Sequence, residues 1–306
     1  MSLVIVLAEA RASSLTYDSF CSQVLNPLNA DLALCVSDTI EPDNPFLKRA
    51  KYAFLCPEVD DWGIAFDEVY TIEQTPGQRP WRDFLKIKDQ FLGGIKDPEN
   101  EHPGSAAILL FFRWFLLQKL TDSDLLTKYD RFIVTRSDFI WRLPHPSMKL
   151  LDPKYIWIPD GEGCHYGFTD RHAVLSRQNV EKYLNVLTCL IKDSNVYFSD
   201  MLKNKQWNLE RLIYYHLTSE PVAHFPYVMY TVREVDGKSR WSMGEWNDEH
   251  NCYIKYKSEY DESKRIQDGK KEPIDKYYKS LLTYIYWIQQ NKENGRYAQR
   301  ACKILF

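Results

Sequence analysis

Near the N-terminus the apolar positions come in unbroken runs rather than alternating. Leu3–Ala8 is one such run and Asp31–Ser37, DLALCVS, is another. Continuous runs of this length and composition are strands covered on both faces, as in a parallel sheet. Between them Tyr17, Phe20, Val24 and Leu25 recur at helical spacing, with Ser13 and Ser14 placed to cap the start and Asn26–Asn29 to break the end. Strand, helix, strand in that order predicts the opening of a doubly wound, Rossmann-like α/β sheet.

Further along, Lys51–Leu55 and Glu68–Ile72 predict short peripheral strands. Thr75–Pro103, with Gly77, Gly93 and Gly94 among its prolines, predicts a connection suited to act as a lid. Ser105–Leu120 is apolar nearly all round, which places it as a buried central helix capped by Ser105. Arg131–Val134 predicts a buried strand that delivers Thr135-Arg136-Ser137-Asp138 at its end, before the apolar Phe139-Ile140-Trp141. After a strand at Tyr155–Ile158 comes the glycine-rich loop Asp160–Thr169. Asp170 is then placed to cap a helix carrying Ala173–Ser176 onward. Gln178–Ile191 and Leu209–Leu217 predict helices and Pro226–Val232 a last strand. In Pro273–Gln290, Ile274, Tyr277, Tyr278, Leu281, Leu282, Ile285 and Ile288 fall at helical spacing, an amphipathic helix that docks on something. The expected organisation is a catalytic-sized domain over 1–233 and a C-terminal, helical extension over 234–306 that packs on it.

Composition narrows the class. With 306 residues, 44% hydrophobic, and 20 Tyr, 15 Phe and 9 Trp, the chain can bury a sizeable core, which excludes disorder. Lys and Arg number 39 against 42 Asp and Glu, a net charge of -3. That balance excludes a protein whose affinity comes from neutralising nucleic-acid phosphates or an anionic membrane. The 7 cysteines include no CxxC pair, against a disulfide scaffold or zinc knuckle. No basic stretch precedes Leu3–Ala8, so it reads as a strand rather than a signal peptide. Ala106–Leu117 is short of the ~20 residues that cross a bilayer. The expectation is a soluble, cytoplasmic protein with no transmembrane segment and no nucleic-acid partner.

Candidate chemistry gathers at the ends of the predicted strands, where open α/β sheets bind ligands. Asp138 leaves a buried strand two residues after Arg136. A carboxylate so placed can ligate a divalent ion on a diphosphate while the guanidinium meets the phosphate directly, and it can equally be a turn cap with an ion-pair partner. Asp38 closes the second strand, where doubly wound nucleotide binders face base or ribose. Asp160, Glu162, His165 and Asp170 crowd one glycine-rich loop, as acid/base chemistry on a hydroxyl requires. Asp170 is the first choice for that role, with helix capping the competing reading, and Glu162 is the second. His165 suits a metal, a phosphate or a structural hydrogen bond. Glu210 opens a helix, as a dipole match or as a further base candidate. Arg211 and Arg233 are further possible phosphate contacts. Trp62, Trp81 and Trp207 either stack a sugar or fill the core.

The segment YDRFIVTRSDFIW, followed by a strand and then HYGFTDRHAVLSR, resembles a family of bacterial surface-polysaccharide and large-DNA-virus, chlorovirus-like glycosyltransferases with a GT-A fold. In that family a YD-apolar-R-x-D strand end stands in for the DxD motif, and a G-x-x-D-R loop starts the next helix. The opening AEAR, then a helix, then NADLALCVSD is similar to the family's strand-Arg-helix-strand. The likeness runs from roughly Leu3 to Arg233 as an order of elements. It implies a GT-A-like, mostly parallel sheet flanked by helices. It further implies a nucleotide-sugar donor, UDP-linked by default, held by Arg11, Asp38, Arg136, Asp138 and Arg171, with Mn²⁺ or Mg²⁺ at Asp138 and a glycan as acceptor in surface-polysaccharide or glycoprotein-glycan synthesis. TRSD keeps only the last acid of a DxD, so Arg136 stands where part of the cation's work would be done. Two rivals come from other classes. A non-catalytic carbohydrate-binding or assembly protein would bind sugar without releasing nucleotide. A Rossmann dehydrogenase is disfavoured because AEARAS offers no G-x-G-x-x-G after the first strand.

Overall fold

Both leading apolar runs are strands, β1 (Ser2–Ala8) and β2 (Asp31–Ser37), each with its five central residues buried. The computed structural model describes residues 1–87, 91–159, 165–204, 206–236, 242–270, 272–280 and 282. Around β1 a seven-stranded sheet assembles in the order β3-β2-β1-β4-β7-β6-β8, with β3 (Tyr52–Cys56), β4 (Arg131–Thr135), β6 (Ile156–Pro159), β7 (His172–Ser176) and β8 (Val222–Phe225). β3, β2, β1 and β4 are parallel to one another, β6 and β8 are parallel, and β7 runs against both of its neighbours. The expected α/β class and mostly parallel sheet are what the chain forms.

Helices cover both faces. On one face Ala106–Asp122 lies at the centre of the core, with Leu110, Phe112, Leu116 and Leu120 all but fully buried. Its all-round apolar surface fits because Trp62–Glu73, Val186–Lys192 and the sheet surround it. On the other face Phe20, Val24 and Leu25 of the first helical segment pack with Phe46, Trp141 and Phe225. Tyr278 and Leu282 join that cluster, and the Tyr278 hydroxyl donates to the Pro144 carbonyl at 2.5 Å. The expected C-terminal amphipathic helix therefore docks on this face as far as it is described. Among the described residues no helix is long and apolar enough to cross a membrane.

Several local expectations are corrected. Glu68–Ile72 is not a strand but part of the helix Trp62–Glu73. Trp62, Ala65, Phe66 and Val69 recur at helical spacing on its buried side, and the Asp61 side chain caps it by accepting from Gly63 N–H at 2.9 Å. Ala173–Ser176 is not helical but lies in β7, where all five residues are buried between β4 and β6. Ser13 and Ser105 make no side-chain caps; Ala12, in a left-handed conformation, precedes the first helix instead. In the described part of Thr75–Pro103, Trp81, Phe84, Phe91 and Leu92 are anchored in the core, which fits a packed connection rather than a lid. Pro226–Val232 is not the last strand. β9 (Met229–Arg233) joins a second, four-stranded sheet in the order β10-β11-β9-β5, with β5 (Phe139–Trp141), β10 (Glu245–Asn247) and β11 (Cys252–Ile254). Residues beyond 233 thus pair with those before it.

Candidate functional site

The C-terminal ends of β1 and β4 meet at one edge of the main sheet, and β7, running the other way, starts there. Antiparallel β7 is what brings Asp170 and Arg171 to the place where Arg11 and Arg136 emerge.

Asp138 organises one half of the site. It is fully buried, and Arg136 grips it as a fork, Nε donating to Oδ1 at 2.9 Å and Nη2 to Oδ2 at 2.7 Å. Arg233 Nη1 donates to Oδ2 as well, and Arg11 Nε lies 3.9 Å from it. Burial alone would raise this carboxyl's pKa. Arg136, Arg233 and Arg11 outweigh it and hold Asp138 well below the usual carboxylate range. Asp138 likewise overcomes the burial of Arg136 and raises its pKa. Arg11 is lowered, by burial first and then by Arg136. It pairs outward with Glu9, and the Ser137 hydroxyl pins its loop by sharing a proton between the Glu9 and Arg11 carbonyls at 3.1 and 2.8 Å. Ala8 and Ala12, at φ 75° and 55°, bracket this loop. Two non-glycine residues in left-handed backbone cost about 1–3 kcal/mol each, and such strain clusters at functional sites.

The other half is acidic. A cavity of about 380 Å³ opens beside Arg136, lined also by Asp170, Glu210, Lys255, Tyr256 and Asn208, with the start of the helix Ala106–Asp122 on its rim at Ser105 and Ala106. Glu210 stands in the first turn of the helix Leu209–His216, which Asn208 caps by accepting from Arg211 N–H at 2.8 Å. Burial first, and then the charge of Asp170, push the Glu210 carboxyl up to about 7. Opposite, burial and then Arg136, Arg233 and Arg171 push the Lys255 ammonium down to about 7. An acid and a base both brought near neutrality in one cleft is the electrostatic mark of a working site. Gly167 allows the acidic groups to meet: a Cβ there would stand 2.1 Å from the Glu210 carbonyl oxygen, which accepts from Phe168 N–H at 3.0 Å. Asp170 is then held from behind by buried Arg113, whose Nη2 donates to its carbonyl at 3.2 Å while Nη1 donates to the Tyr183 carbonyl at 3.1 Å.

The sequence candidates separate accordingly. Arg11, Arg136, Asp138 and Arg233 come together, and Arg136, Asp170, Glu210 and His165 line the cavity. Asp170 has no helix to cap, since a strand follows it. Arg171 lines the cavity, but its guanidinium is committed to Glu259, the Thr231 hydroxyl at 2.7 Å and the Tyr227 hydroxyl at 3.0 Å, and it stacks 4.5 Å over the Tyr256 ring. Asp38 is exposed at the end of β2, where it accepts from Glu58 N–H at 3.2 Å. Glu162 and Asp160 lie outside the described residues. Trp62, Trp81 and Trp207 are core residues at 3%, 2% and 3% exposure and stack no sugar. Lys255, Tyr256 and Arg113 had no signal of their own in the sequence. The first two reach the site only through the pairing of β11 with β9, and Arg113 lies within the apolar helix Ala106–Asp122. Among the described residues no three His, Cys, Asp or Glu gather as a metal-binding set.

No protein-family model matches the chain, and no curated protein matches it. Among solved structures the chain is similar to mouse xyloside xylosyltransferase 1 in its apo form, at 10% sequence identity and a TM-score of 0.40, over 74% of this chain and 86% of that one.

Proposed function

We propose that this protein is a glycosyltransferase that moves a sugar from a nucleoside-diphosphate sugar, by default a UDP-sugar, to a hydroxyl of a glycan acceptor in surface-polysaccharide or glycoprotein-glycan synthesis. One observation carries the reading: a single cavity joins Arg136, the member of a guanidinium-rich corner that lines it, fitted to a diphosphate, to a carboxyl pair, fitted to take a proton. The donor lies across the ends of β1 and β4 with its diphosphate toward Arg136 and Arg11. The acceptor hydroxyl gives its proton to a carboxylate as its oxygen attacks the anomeric carbon, and the bond from that carbon to the diphosphate breaks. The electron pair leaves on the nucleoside diphosphate, where the arginines meet the developing charge.

Glu210 is the better base of the two carboxyls. A group at about 7 combines a useful ionised fraction at neutral pH with basicity enough to hold the proton. Asp170 serves by keeping Glu210 basic. The test is a panel of UDP-, GDP-, dTDP- and CMP-sugars, read as nucleotide release with and without glycan acceptors. Release from one nucleoside-diphosphate sugar, stimulated by acceptor, supports the reading. Sugar binding with no nucleotide release from any donor would favour the non-catalytic carbohydrate-binding alternative.

A further inference from the structure

We propose that the diphosphate of the donor is bound without a divalent cation, its charge met by the arginines that Asp138 gathers together with Lys255. The inference rests on the glycosyltransferase reading and decides how the same site handles charge. Sequence placed Mn²⁺ or Mg²⁺ at Asp138, and the residues there do not fit such an ion. A hard cation needs open carboxylate oxygens. Both oxygens of Asp138 are taken, Oδ1 by Arg136 Nε, and Oδ2 by Arg136 Nη2 and Arg233 Nη1. Entry of an ion would displace guanidiniums from a carboxylate at 0% exposure and leave Arg233, at 3%, as a buried cation without its partner. Separating such a pair is strongly unfavourable.

The same arrangement suits a dianion. Among the described residues the ion pairs of this corner set three guanidiniums, Arg11, Arg136 and Arg233, against two carboxylates, buried Asp138 and exposed Glu9, while Asp170 acts on Arg136 from the cavity. The paired groups of the corner thus carry one positive charge more than they cancel before any ligand arrives. Arg136 uses its Nε and Nη2 on Asp138 and lines the cavity, so its Nη1 edge remains for a phosphate oxygen. Lys255 adds an amine on the cavity wall, held near neutrality by its burial and by Arg136, and an incoming anion favours its charged form. The first residues of a 17-residue helix are among those lining the cavity, and the partial positive charge of its start favours an anion. Asp138 is in this account the residue that holds the arginines in place.

The experiment uses full-length protein stripped of metal, with UDP and inorganic pyrophosphate as probes in EDTA and, separately, in Mn²⁺ or Mg²⁺. Thermal shift gives binding, and nucleotide release from the donor selected by the panel gives turnover. Both probes are expected to raise Tm in EDTA, and the affinity for UDP should differ by less than about threefold between EDTA and Mn²⁺. Turnover should survive EDTA. Binding or turnover lost in EDTA and restored by Mn²⁺ would overturn the proposal while leaving the glycosyltransferase reading intact. If no nucleotide binds in either condition, that reading and the proposal fall together. Arg136→Met checks the source of the charge: UDP affinity in EDTA should drop at least tenfold, and affinity unchanged by this substitution would count against the arginine corner.

Discussion

Asp138 lies buried behind Arg136, Glu210 lines the cavity that Arg136 also lines, and the two carboxyls are pushed in opposite directions. Asp138 sits among arginines and is held ionised against its burial, whereas Glu210 sits beside Asp170 and is raised to about 7. The difference is one of company rather than depth, since burial raises both. It assigns them different work: a carboxylate that never leaves its charged form can hold cations in place but cannot carry a proton, and one poised near neutrality can do the second.

The largest effect expected is on the acidic half. Glu210→Gln should lower the rate of transfer by ~10²–10⁴, as for a lost acid/base group, with donor affinity nearly unchanged. Asp170→Asn sharpens the contrast. If Asp170 acts by repelling Glu210, the Asn variant stays active and its acid limb moves below pH 7, because the second of the causes that raise Glu210, after its burial, is gone. If Asp170 were itself the base, the Asn variant would lose rate as Glu210→Gln does.

On the cationic half the loss should appear in folding. Asp138→Ala leaves Arg136 and Arg233 without their buried partner, and stability in urea should drop by about 3–5 kcal/mol. An Asp138→Ala protein as stable as wild type would break the comparison, since the residue would then not be holding the corner together. Arg136→Lys should cost roughly tenfold in donor affinity, because a point charge cannot both fork Asp138 and meet a phosphate.

The smallest effect lies beneath the site and serves as its control. His145 is buried and pushed down to about 4, and burial together with His145 lowers His172 well below its ordinary value. Both stay neutral in the fold while the unfolded chain takes up protons below about pH 6.5. Their contribution is fully present above that pH and is lost as pH falls toward about 4, by at most ~1.4 kcal/mol per unit for each histidine. His145→Phe should make that slope shallower without moving the rate profile near pH 7. If it moved the rate profile, the acid limb could not be assigned to Glu210.

How far the sequence could be read depended on whether a signal was local. β1, β2, β4 and the helix Ala106–Asp122 announce themselves as apolar runs, because a segment covered on all sides needs no alternation. β7 is not legible because the five residues that follow Asp170-Arg171 are too short to show a period, and the aspartate mimics a cap. The helix Trp62–Glu73 was misread because Glu-Val-Tyr-Thr-Ile has strand-like composition, while the buried stripe that decides the matter begins earlier, at Trp62. In the site, Arg136 and Asp138 were legible two residues apart. Glu210 reads in the sequence as a helix-start acid or a base candidate alike, and what raises its pKa, its burial first and then Asp170 forty residues away and brought close across Gly167, has no local signal. Arg233 reads in the sequence as a possible phosphate contact, and its pairing with Asp138 becomes visible only through β9.

The most direct test of this division of labour is the pH dependence of nucleotide release under saturating donor, for wild type and Glu210→Gln, with folding checked at each pH. A base must be ionised to act, so wild-type turnover should climb about tenfold per pH unit below neutrality and level off above about 7. The Gln variant should be slow and flat across that range. A Glu210→Gln enzyme with wild-type turnover and an unchanged limb would contradict the account, because the proton would then go elsewhere.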